Sequence, residues 1–178
     1  MNITNYIQFD GDNLDTTYED NKVESNTGPG ILHEISYDAV IRHNTLRDNA
    51  TAAAGKSIWW GADIVLNGSQ NVQIYGNRLD SSVNGISLID TDRGSGRYGT
   101  YKVANTDVHD NVVVLGTGAD TGLVGRSSAF QSTANNRFRA NTYYVPALIG
   151  RSWEWQGSLT KEEWQRYGQD TAGTFLQG

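Results

Sequence analysis

Five segments of the chain align on one asparagine: Asn21 in TTYEDNKVESN, Asn44 in AVIRHNTLRDN, Asn77 in NVQIYGNRLDSS, Asn111 in TDVHDNVVVLG and Asn141 in NRFRANTYYV. An apolar or aromatic residue stands three positions before each (Tyr18, Ile41, Ile74, Val108, Phe138), and another apolar residue stands two after (Val23, Leu46, Leu79, Val113, Tyr143). The spacings are 23, 33, 34 and 30 residues. The shortest is a bare unit; the longer ones carry inserted segments, TAAAGKSIWW near 51–60 and TDRGSGRYGTY near 91–101. A period of about 22 residues built on short strands and one turn asparagine is the mark of a solenoid whose units stack as coils. Asparagine suits the bend because it tolerates left-handed backbone and bonds to neighbouring backbone groups.

A second phase precedes each asparagine. Ile31 lies as far before Asn44 as Ile64 lies before Asn77, so GILHEIS and DIVLNGS occupy one place in successive units. YIQFDGD (6–12) and GISLID (85–90) are the equivalent strands above and below. The fold class expected is all-β, a right-handed parallel β-helix of about five to six coils. A leucine-rich repeat needs a more regular Leu pattern, and an antiparallel sandwich is the alternative. Coils fill 1–150, and 151–178 form a capping segment. There, LTKEEWQRYGQDT predicts a short helix with Thr160 as N-cap, Glu163 closing a capping box, and Leu159 stapled to Trp164. The N-terminus has no comparable cap. It is read as part of a longer β-helix lacking its N-terminal coils, or as a coil that stacks on a second copy in a homo-oligomer.

The net charge of −6 argues against a nucleic-acid partner, which needs a basic face. No run approaches the length of a membrane span, and MNITNYIQF carries no secretion signal. With no cysteines, disulfides and thiolate metal sites are excluded.

The strand around His33-Glu34 holds the candidate chemistry. Side chains alternate along a strand. With Ile31 and Ile35 inward, His33 points inward and Glu34 out. In the coil below, Ile7 and Phe9 point in, and Gln8 and Asp10 out. Asp10 then aligns with Glu34, given a one-residue bulge, and Asn67 continues the column; the alternative phase pairs Gly11 or Asp12 with Glu34. Carboxylates on adjacent rungs lie about 5 Å apart, the separation of retaining glycosidases. Two like charges so close also drive their pKa values apart. His33 and Asp12 can tune or orient the pair. A polar ladder on a solvated face is the plainer reading, but stacked like charges cost energy.

The run FDGDN…YEDN…GPGILHEIS-x-DAVIRHN resembles right-handed parallel β-helix proteins of the pectate-lyase-like superfamily. Within it the chain resembles bacterial β-helix glycosidases, including β-xylosidase-type enzymes. Those pair a W-x-D strand with a G-I-x-x-E-[IV]-S strand one coil later; here the residue before the aspartate is Phe9. The resemblance implies Asp10 as nucleophile and Glu34 as acid/base, an oligo- or polysaccharide substrate, and an extracellular or cell-surface setting. Trp59 and Trp60, closing the first insertion, offer faces for a sugar ring, although one of them is expected to pack over the coil. Arg93, Arg97 and Tyr98, in the Gly-rich second insertion, are the remaining substrate-side candidates: such a loop either binds an acidic sugar or is simply mobile.

Other signals are weaker. His33, His43 and His109 fall in different strand phases, which opposes a three-His metal site. No cofactor is expected; Asp90 and Asp92 at a strand end are the one place for a Ca²⁺ ion. GTGADTG (116–122) lacks the Lys and helix of a phosphate loop. Glycosylation acceptor patterns at 2–4, 49–51 and 67–69 are frequent accidents in an Asn-rich chain. A polysaccharide lyase predicts a Lys or Arg base near the carboxylates. A structural module that assembles through its first coil needs no such chemistry.

Overall fold

The computed structural model describes residues 7–54 and 59–178. The acceptor pattern at 2–4, Tyr6 of the first strand and residues 55–58 of the first insertion lie outside them.

The chain winds through three parallel sheets. The first stacks Ile7–Asp10, Ile31–Glu34, Ile64–Asn67, Ile86–Asp90, Thr121–Gly125 and Trp153–Trp155, ending in the short antiparallel strand Ser158–Leu159. The second stacks Thr16–Glu19, Tyr37–Arg42, Gln70–Tyr75, Asp107–His109 and Arg137–Arg139. The third runs from Lys22–Glu24 through Thr45–Arg47, Arg78–Ser81, Val112–Leu115 and Thr142–Val145 to Thr174–Gln177. One strand of each sheet makes a coil. The parallel pairing rules out the antiparallel sandwich.

The repeat residues build the core. Tyr18, Ile41, Ile74, Val108 and Phe138 are opposite one another in the second sheet. Val23, Leu46, Leu79, Val113 and Tyr143 do the same in the third. All are buried. Each fully buried aliphatic side chain contributes about 1.5–3 kcal/mol. The asparagines form a continuous ladder. Each Oδ1 of Asn44, Asn77, Asn111 and Asn141 accepts the backbone N–H of the asparagine one coil earlier at 3.0 Å. Left-handed backbone falls not on the asparagine but on the residue before it: Asp20, His43, Gly76, Asp110 and Ala140 have φ between 53° and 62°. The bend is made there, and the asparagine's role is to satisfy backbone groups that the bend leaves unpaired.

In the last coil a helix, Lys161–Arg166, stands where the second sheet would place a strand. Both halves of the capping box form: Thr160 accepts from the Glu163 amide, and the Glu163 carboxylate accepts from the Thr160 amide. Leu159 and Trp164 are buried in the main core, and Trp164 meets Phe138 edge-on at 5.0 Å. Asp170 ends the asparagine ladder, accepting the Asn141 N–H at 2.9 Å and the Tyr143 hydroxyl at 2.6 Å. At the other end Phe9 and Leu14 are exposed.

Candidate functional site

The first sheet fixes the register: Asp10 is opposite Glu34, and Glu34 opposite Asn67. No bulge interrupts the strands. Thr16 is opposite Ala39, so the first coil's extra residue is taken up in the corner between residues 11 and 15, where Gly11, Asp12 and Asp15 all have positive φ. Asp12 therefore lies past the ladder, not in it.

The three rungs differ in environment. Asp10 is exposed, whereas Glu34 and Asn67 are buried. Glu34 Oε1 accepts from Asn67 Nδ2 at 2.8 Å and pairs with the Arg93 guanidinium; Oε2 has no partner among the described residues. Asn67 in turn accepts from the Thr91 hydroxyl at 3.3 Å. Two inserted segments lie over the outside of this sheet, and the second contacts both buried rungs. Trp59 packs on a small apolar cluster on the outside of the first sheet, formed by Leu32, Ala62, Val65 and Ile89, while Trp60 stays exposed. The second insertion, 91–101, brings Arg93 onto Glu34 and sets Arg97 N–H and Tyr101 Oη on Asp12 at 2.9 and 2.7 Å. Arg97 stacks its guanidinium over Tyr98, which meets Tyr37 edge-on at 5.4 Å.

The expectation that His33 tunes or orients the Asp10–Glu34 pair, as a substrate-side residue, needs correcting. The imidazole is fully buried inside the coil, on the opposite face of the strand from Glu34. Its Nδ1 shares a hydrogen bond with the Tyr18 hydroxyl at 2.9 Å, and Nε2 has no partner among the described residues. Burial lowers its pKa to about 4, so near neutrality it is an uncharged core group. His43 and His109 flank Tyr75 on the second sheet, away from the carboxylates. Among the described residues no cluster of three or more His, Cys, Asp or Glu is arranged for a metal. Asp90 is held by Arg126 through both oxygens at 2.9 and 3.1 Å and by the Val103 N–H, and Arg126 also reaches Asp92 at 3.6 Å. A guanidinium thus stands where the sequence left room for calcium.

Sequence reasoning missed three features. Arg126 had no motif to mark it. The segment 126–136 is a second long connection between the first and second sheets, with two 3-10 turns. A second ladder, Asn26 to Asn49 to Asp63, lines the corner between third and first sheets. Asn26 and Asn49 share the 23-residue spacing of Asn21 and Asn44, a signal that could have found them. Asp63 is buried, accepts from Ser81 and Asn49, and burial raises its pKa to about 6. Of the acceptor patterns, Asn49 and Asn67 are buried and hydrogen-bonded, so neither is available to a glycan in the folded chain.

No curated protein and no solved structure gives a significant match to the chain. The family described as right handed beta helix region matches residues 2–112, a span that contains the Asn21, Asn44, Asn77 and Asn111 units and the whole Asp10–Glu34–Asn67 column. On that match and on the three parallel sheets, the chain belongs to the right-handed β-helix family.

Proposed function

We propose that this β-helix is carbohydrate-active, a glycoside hydrolase that works outside the cell or at its surface on an oligo- or polysaccharide. The observation that carries the reading is the register of Asp10 against Glu34 in a parallel ladder. Neighbouring strands lie about 4.8 Å apart, close to the carboxyl separation of about 5–5.5 Å used by retaining enzymes. Exposed Asp10 attacks the anomeric carbon. Glu34 gives its proton to the departing oxygen, then takes one from the water that releases the sugar. Asn67 orients Glu34 through Oε1, which leaves Oε2 for the proton. Trp60 supplies an exposed ring face on a segment anchored by Trp59.

The test is hydrolysis of a panel of aryl glycosides by the parent and Glu34→Gln. Loss of about 10²-fold or more in the variant is the expected outcome. Equal inactivity of both on every sugar sinks the reading. One observation favours a second reading, assembly through the first coil: Phe9 and Leu14 there are 42% and 40% exposed. A particle whose mass rises with concentration, and does not rise in Phe9→Ser, is its signature.

A further inference from the structure

The chain leaves the first sheet at Asp90 and does not join the second until Asp107. The segment between belongs to the fourth coil but reaches all three coils before it. Arg93 lies against Gly68 of the third. It pairs with Glu34 of the second, where Gly99 O also accepts the Tyr37 hydroxyl at 2.7 Å. Arg97 N–H and Tyr101 Oη close on Asp12 of the first.

Its two ends are held differently. At the base, Asp90 accepts the Val103 N–H at 2.6 Å, and Arg126 ties Asp90 to the Tyr101 carbonyl. At the tip, the short hairpin Ser95–Gly96 and Gly99–Thr100 is almost wholly exposed. Its hold on the solenoid is a few polar contacts and the edge of Tyr98, and the ring of Tyr101, buried against Tyr37 at 5.7 Å, follows it directly. Segments with little buried apolar surface and exposed hydrogen bonds open first.

We propose that residues 91–101 are a detachable strap that covers Glu34, pinned at its base and latched at its tip by Asp12. In the closed state Arg93 occupies the carboxylate that a substrate needs; release of the tip withdraws Arg93 and opens the face. This deepens the glycosidase reading and rests on it for its function, but not for its mechanics.

Gly96 gives a clean way to break the latch. A Cβ there would stand 1.9 Å from Asp12 Oδ1 and 2.0 Å from Tyr101 Oη, so Gly96→Ala forces both groups apart. The readout is carbodiimide coupling of an amine to carboxylates, located by peptide mass, with exchange of the Arg97 amide followed in parallel. Exposed Asp10 labels in every variant, and buried Asp63 reports unfolding. With two hydrogen bonds to a charged acceptor lost, Glu34 labelling and Arg97 exchange should both rise about a hundredfold while Asp63 stays protected. Tyr101→Phe removes one of those bonds and should give a smaller rise in the same direction. A slow Arg97 amide in both variants overturns the latch. A fast amide over a still-protected Glu34 overturns the cover. Activity is read separately: newly labelled Glu34 with no turnover of any sugar defeats the glycosidase reading and leaves the strap. An active parent whose Glu34 stays protected in both variants does the reverse.

Discussion

Two ladders climb the same solenoid and are built on opposite terms. At the corner between second and third sheets, Asn21, Asn44, Asn77, Asn111 and Asn141 repeat one residue, one geometry and one set of bonds, with Asp170 closing the series. On the outside of the first sheet, Asp10, Glu34, Asn67 and Ile89 occupy one column and no two are alike. Identical rungs satisfy a backbone that repeats. Different rungs satisfy nothing the backbone requires, because outward side chains there face inserted segments that occur once. The uniform ladder is where stability is held, and the varied one is where chemistry is affordable.

Removing a uniform rung should therefore have the largest effect. Asn77 Oδ1 accepts from both nitrogens of Asn44, and its Nδ2 donates to Ile41 O and Asn111 Oδ1. Asn77→Ala strands those partners in a buried corner. At about 1–3 kcal/mol for each buried group left unsatisfied, the loss should reach about 3–5 kcal/mol. The urea midpoint reads it, and a shift equivalent to less than about 1 kcal/mol would mean water replaces the amide.

Two buried groups near the first sheet, His33 and Asp63, pull in opposite directions as pH falls. His33 has its pKa lowered from 6.5 to about 4 by burial. The unfolded chain binds that proton first, so stability falls as pH drops from about 6.5 to about 4. Asp63 has its pKa raised from 3.8 to about 6, again by burial. Here the folded chain binds first, so stability rises as pH drops from about 6 to about 3.8. Each displacement amounts to about 3 kcal/mol. The parent should show a shallow pH dependence across this window. Asp63→Asn removes the compensating half, and stability should then fall by about 3 kcal/mol between pH 7 and pH 4. A profile parallel to the parent's would show that Asp63 does not titrate with a raised pKa in the folded chain.

The contrast between the ladders also explains what the sequence could tell. The Asn ladder and its flanking core columns were legible because stacked coils impose a period, and a period survives in one dimension; the Asp10–Glu34 pairing lies one residue off that period and was one of two phases the sequence left open. The capping box at Thr160 was legible because its partners lie three residues apart. The strap was not. Tyr101 meets Asp12 across 89 positions and Arg93 meets Glu34 across 59, and neither separation repeats. Asp170 was missed because the chain closes the series with a carboxylate where the pattern asks for an amide. Trp59 and Trp60 were indistinguishable as neighbours, since only the apolar patch on Leu32, Val65 and Ile89 decides which ring is buried.

A rung of the varied column should cost less than one of the uniform ladder. Asn67 is as buried as Asn77, yet its side chain serves one carboxylate oxygen and one hydroxyl. Arg93 still holds Glu34 when the amide is gone. Asn67→Ala should lower stability by about 1–2 kcal/mol while freeing Glu34 to turn. On the glycosidase reading the rate should fall more than the stability does. A stability loss matching that of Asn77→Ala would erase the distinction between the ladders.

The smallest effect tests whether repetition alone matters. A third ladder, Asp38, Asn71, Asn105 and Asn135, also repeats once per coil and also links rung to rung, here with the rung residues themselves in left-handed backbone: Asn71 donates to Asp38 at 2.7 Å, Asn105 to Asn71 at 2.9 Å and Asn135 to Asn105 at 3.3 Å. It differs from the Asn77 ladder in its exposure, which lets water take either partner's place, and in having left-handed rungs whose oxygens accept from side-chain nitrogens rather than backbone N–H groups. Asn105→Ala should then change stability by less than about 0.5 kcal/mol from lost bonds, plus a small penalty for alanine at φ 52°. Asn105→Gly, which relieves the backbone and still lacks the amide, separates the two terms. Should Asn105→Gly be as stable as the parent, the exposed amides contribute nothing measurable, and the strength of the buried ladder belongs to burial. Should it lose as much as Asn77→Ala, periodic amide pairing would stabilise the solenoid wherever it occurs, and the contrast drawn between the two ladders would rest on chemistry alone.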